Sequence, residues 1–172
     1  ALCIFAPMHS QAQGAPIGVE VECDQSTVNI NVHPEQNAPV TVSCTVKNIG
    51  TATQDISLDS NVDGNDFSIS LSEDSFEKMP AGEEESFTAT FAASPRIAVL
   101  SEDFNITATV VSWGMEPVMV PVGMLGSSAE VGGTVNSMPY SRMDLEVSNP
   151  STRNIETGQE EAIQFTIFND GN

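Results

Sequence analysis

Four residues, Asp59, Asn61, Asp63 and Asp66, have the types and the spacing of a metal site. They lie in the stretch DSNVDGND, residues 59–66, where carboxylate and amide oxygens alternate along the chain and Gly64 follows. Calcium takes oxygen ligands, and a helix–loop–helix calcium loop supplies them from its first, third and fifth positions with a glycine at the sixth. Such a loop also needs a bidentate glutamate at its twelfth position, where this chain has Ser70. The same letters build a tight turn. Asp-Gly between two alternating runs is a strong hairpin signal, because glycine takes the positive φ that primed turns require. The stretch therefore reads either as a hairpin turn or as a partial calcium site completed by backbone carbonyls and water. No other cofactor is indicated.

The remaining chemistry-bearing residues are sparse. Residues 55–85 hold ten acidic side chains and one lysine, a solvated surface or a cation-binding junction between domains. Asn105-Ile106-Thr107 is a sequon for N-glycosylation, and the alternation around it allows Asn105 to face outward. Trp113, beside Gly114, is either a core plug at a strand end or a surface for stacking sugar rings. Zinc needs four ligands, and the histidines are only His9 and His33. No serine sits in a Gly-x-Ser-x-Gly turn, and one histidine in the mature chain makes no convincing nucleophile–base pair. The expectation is a protein that is not an enzyme.

The elements that must position these residues are strands. Period-two alternation runs through 19–23, 40–46, 55–60, 67–71, 86–93, 104–112 and 117–122, separated by turn clusters such as NIGTA, DGND and MPAGEE. No helical period is evident. Short strands with turns every 8–12 residues or so point to an all-β, immunoglobulin-like antiparallel β-sandwich. Residues 1–14 read as the tail of a secretory signal, with Ala12 the residue before the cut. Residues 15–122 then form the sandwich, and the Gly/Ser-rich stretch 123–141 a flexible linker holding one short strand.

The chain also echoes itself. VTVSCTVKNIG (40–50) resembles AIQFTIFNDG (162–171), and both runs end in Asn-x-Gly. Each has a similar lead, VEVECDQS (19–26) and DLEVSNPS (144–151). Residues 142–172 are thus expected to begin a second, truncated copy of the same domain. Cys23 and Cys44 take the core register of their strands, and Val147 and Phe165 hold the corresponding places in the echo. The cysteines are either a disulfide, expected in an exported protein, or two separate buried thiols. A bond closing a loop of this size stabilises by about 3 kcal/mol.

Charge narrows the partners. The chain has 24 Asp and Glu against 5 Lys and Arg, a formal net charge of -19. Phosphate binding needs basic clusters, so nucleic acid is not an expected partner, nor is contact with an anionic membrane surface in this segment. No apolar run reaches the roughly 18 residues of a transmembrane helix.

The strand ending in Asn-x-Gly, the Pro80-Ala81-Gly82-Glu83 turn leading into a Thr-rich strand, and the late strand EDFNITATVVS together resemble a family of extracellular bacterial and archaeal domains. These are immunoglobulin-like modules of the CARDB kind and the related module appended to secreted α-galactosidases. The resemblance covers roughly residues 19–122, and residues 142–172 fit its opening strands. It implies a structural or adhesive module of a larger secreted or cell-surface protein, a spacer or protein-interaction surface. Its partners would be other domains of the same chain, surface proteins or glycans. The competing readings are an accessory module of a secreted hydrolase and a calcium-stiffened adhesin repeat. The resemblance supplies no catalytic residues.

Overall fold

A computed structural model describes residues 15–115, 117–123, 126–148, 156–160 and 162–172. The expected signal segment, residues 1–14, lies outside the described residues.

The described chain is all strand and turn. One sheet holds β1 (Val19–Cys23), β3 (Val40–Asn48), β7 (Glu84–Ala93) and β5 (Phe67–Leu71), in the order β1-β3-β7-β5. The other holds β2 (Thr27–Asn31), β10 (Ser128–Met138), β8 (Ser101–Met115), β4 (Thr53–Val62) and β6 (Ser75–Met79), in the order β2-β10-β8-β4-β6. A short strand, β9 (Val118–Pro121), folds back on the end of β8. In immunoglobulin lettering the first sheet takes the places A-B-E-D and the second G-F-C, with β2 added along G and β6, which follows β5 in the chain, added along C. The chain is an immunoglobulin-like β-sandwich.

Alternation explains which face each strand buries. Val42, Cys44 and Val46 of β3 point inward, as do Ile56 and Leu58 of β4 and Ile106, Ala108 and Val110 of β8. Phe91 of β7 meets Phe104 of β8 edge-to-face across the two sheets, with ring centroids 4.7 Å apart. Such a pair ties the layers together beyond what its buried area contributes.

Two expectations need correction. The stretch 123–141 is not a linker with one short strand. Residues Ser128–Met138 form β10, which lies between β2 and β8, antiparallel to β8 and parallel to β2. Its glycines serve close packing. A β-carbon at Gly133 would lie 2.1 Å from the Ser26 carbonyl oxygen, so β2 can approach only a residue without a side chain. The sandwich therefore extends to Met138, and the connector shrinks to residues 139–142.

The stretch DSNVDGND is also not a hairpin turn. β4 and β5 on either side of it belong to different sheets, so the turn carries the chain across the sandwich. Gly64 takes φ 89° there, as the turn chemistry requires.

After the connector, β11 (Met143–Val147) and β12 (Phe165–Asn169) pair antiparallel as a two-stranded ribbon.

Candidate functional site

The acidic stretch does not wrap into a metal loop. Asp59 and Asn61 lie on β4, facing Thr107 and Asn105 of β8, while Asp63 and Asp66 lie in the turn beyond. Extended strand spreads residues 59 and 62 about 10 Å apart, whereas a calcium loop curls its ligands to within 2.6 Å or so of one ion. The Asp63 amide donates to the Asp103 carbonyl at 2.8 Å. Among the described residues, no group of three or more His, Cys, Asp or Glu side chains is placed to hold a metal ion. Glu102 reaches under the turn instead, so close that a β-carbon at Gly64 would meet its carboxylate.

The rest of the acid run is surface, with one exception. The Asp55 carboxylate accepts from the Lys78 amide at 2.7 Å and from the Ser112 hydroxyl. It sits where the register of β4 shifts against both β6 and β8, and so pins a β-bulge.

Cys23 and Cys44 form a disulfide. They are a directly opposed pair on β1 and β3, with Cα atoms 4.0 Å apart. The bond staples two neighbouring strands of one sheet rather than linking the two sheets. Asn105 faces outward from β8, half-buried, and its amide donates to Glu130 at 3.1 Å. Trp113 is half-buried and packs against the core, which is the plug reading.

The most elaborate polar constellation is one that sequence reasoning found only as a turn signature. Asn48, at the end of β3, is fully buried. Its amide nitrogen donates to the carbonyls of Met79 at 2.8 Å and Ala52 at 2.9 Å, and its oxygen accepts from the Gly50 amide at 2.9 Å. Gln54, also fully buried, donates to the same Asn48 oxygen and pairs with the backbone of Gly18. Backbone bonds complete the knot: Asn48 N–H to Glu83 O, and Gly82 N–H to Asn48 O. One Asn-Gln pair thus joins the start of β1 and β4 to the ends of β3 and β6 and the PAGE turn before β7. Gly50 is needed because a β-carbon there would lie 2.7 Å from the Pro16 carbonyl oxygen.

The second Asn-x-Gly repeats this geometry. In the sandwich Val19 pairs with Asn48 and Cys23 with Cys44; in the ribbon Met143 pairs with Asn169 and Val147 with Phe165. Gly171 N–H donates to the Asn169 side chain at 3.1 Å, as Gly50 does to Asn48. Asp170 N–H donates to Arg142 O, as Ile49 does to Gly18, and Ser148 N–H to Gln164 O, as Asp24 does to Ser43. A β-carbon at Gly171 would lie 2.7 Å from the Tyr140 carbonyl, as one at Gly50 would from Pro16. The two strand pairs named by the echo share one register. Val147 and Phe165 stand where the disulfide stands.

The exposures differ completely. Val21 and Val46 are 6% and 0% exposed; their counterparts Leu145 and Ile167 are both 60% exposed. In the sandwich β10, β8 and β2 lie against β1 and β3. The described residues put nothing equivalent on the ribbon.

No family model matches the chain, and no curated protein matches it. Solved structures similar to it include a FixG-related protein from Vibrio parahaemolyticus, 16% identical over 71% of this chain and 96% of that one, TM-score 0.46. A PapD-like domain of human CEP192 is 14% identical over 80% of this chain and 96% of that one, TM-score 0.43. Escherichia coli alpha-2-macroglobulin, from its MG7 domain to the C-terminus, is 14% identical over 80% of this chain and 19% of that one, TM-score 0.45. The immunoglobulin-like assignment rests on the chain's own strand order.

Proposed function

We propose that this chain is a non-catalytic structural or adhesive segment of a larger secreted or cell-surface protein, with the sandwich as a spacer or protein-interaction module. The observation that carries the reading is the register repeat. β11 and β12 pair in the register of β1 and β3 and close with the same Asn-x-Gly turn, and their counterparts of the buried side chains are exposed. Tandem repetition suits mechanical extension, in which each module is a unit of length. The Cys23–Cys44 disulfide supports an oxidising compartment. The CARDB-like resemblance points the same way. Asn105, on an outward face beside the side-chain-free Gly132, is the glycan acceptor in this reading.

Hydrogen exchange on the full-length protein that contains this segment tests it. Completion of a second sandwich slows the amides of β12 and of the face around Leu145 to the protection of β3. If they exchange as fast there as in the 172-residue chain, residues 142–172 are not the start of a module and the tandem reading fails.

A further inference from the structure

We infer that the end of the sandwich formed by Ile97, Met138 and the turn at His33–Glu35 is a seat for the opening turn of the following unit, so that the two are joined at a fixed angle. This rests on the spacer reading above and gives it a mechanical property.

The connector between Met138 and Met143 is residues 139–142, and three separate contacts hold it. Asn172 follows directly on the second Asn-x-Gly. Its side-chain amide donates to the carbonyls of Ile97 at 3.0 Å and Met138 at 3.4 Å, both on the sandwich. Its side-chain oxygen accepts from the Tyr140 amide at 2.8 Å. A single side chain thus bridges the ribbon, the connector and the sandwich, using both its donor and its acceptor. The Tyr140 ring packs edge-to-face on His33, with centroids 5.1 Å apart, and against the core. Arg142 pairs with Glu35 at 3.6 Å. Gly171 lets the turn close onto the Tyr140 carbonyl. His33 is itself held, since its Nδ1 accepts from the Glu35 amide and its own amide donates to Asn31.

A freely jointed tether needs none of this. Exposed ion pairs and single hydrogen bonds are individually feeble, but contacts that share one short connector restrict each other's freedom. The joint's chemistry is that of an asparagine clasp on two carbonyls of the sandwich, backed by an aromatic pair.

Residual dipolar couplings on the 172-residue chain read the joint. Amides of β3, β7 and β8 and those of β11 and β12 are expected to fit one alignment tensor, and the Tyr140 amide to exchange slowly. Asn172→Ala should speed that exchange about tenfold or more and require two tensors. Asn172→Asp keeps the acceptor for Tyr140 but loses both donors, so it should retain much of the protection while the tensors separate. Should the ribbon unfold in these variants, Glu35→Arg alone and with Arg142→Glu serve in their place. The single change should loosen the joint and the pair restore it. Two tensors in the unaltered chain, or an Asn172→Ala variant unchanged in both readouts, overturns the inference. Neither result bears on the hydrogen-exchange test of the second module, so the two can fail separately.

Discussion

The strands that open the sandwich and those of the ribbon after it pair in the same register but in different company. β1 and β3 carry valines and a disulfide inward, beneath the other sheet. β11 and β12 carry Met143, Leu145, Val147, Phe165 and Ile167 at the matching places, all open to water. Local pairing is thus written into the strands and turn, whereas burial is conferred by strands far along the chain. The polar knot shows the same division. Asn48 and Asn169 each cap their own turn, but only Asn48 reaches Met79 and Gln54, which belong to strands the ribbon lacks.

That difference can be broken deliberately. The largest effect is expected at the apolar face. Val46→Asp buries an unpaired carboxylate and should remove about 4 kcal/mol or more, enough to unfold the sandwich at room temperature. Ile167→Asp, at the matching place in the ribbon, should leave the unfolding midpoint in urea within about 0.5 kcal/mol of the original.

Next come the two asparagines. Asn48→Ala leaves two carbonyls, an amide and Gln54 without a buried partner. It should cost about 3 kcal/mol, read as a fall of about 10 °C in the melting temperature. Asn169→Ala loses one exposed turn bond and should cost under about 1 kcal/mol. Equal effects at both sites would mean that the two turns are doing the same job and that the knot is incidental.

The smallest effect is expected from calcium. With Asp59 and Asn61 on extended strand, calcium up to 10 mM or so should shift the melting temperature by less than about 1 °C beyond magnesium. A larger, selective shift that disappears on Asp59→Ala with Asp63→Ala would show that the stretch rearranges around the ion.

How much of this was legible in the sequence follows from where the information sits. β3, β5, β7 and β8 announce themselves because alternation is local. β10 hides because Gly132 and Gly133 look like linker residues until the neighbouring Ser26 carbonyl explains them. β2 alternates over only five residues, Thr27–Asn31, and is not among the runs read as strands. That β4 and β5 join different sheets could not be read from the turn, since sheet membership is decided by pairing with distant strands. The Asn-x-Gly repeat was visible as a motif. Its buried network was not, because Met79 lies 31 residues from Asn48. The Cys23–Cys44 bond was legible as one of two options, and the shared register of β1 and β3 decides it.

The ribbon pairs in the register of the sandwich's own opening. The most direct test is to place cysteines at the disulfide's counterpart, Val147→Cys with Phe165→Cys, and oxidise under conditions that keep Cys23–Cys44 closed. A second disulfide, linking residues 147 and 165, is expected to form in nearly every molecule and to appear as a single cross-linked peptide after digestion. Two thiols that stay free, or that pair only with other chains, would contradict it, because strands in that register hold the pair face to face.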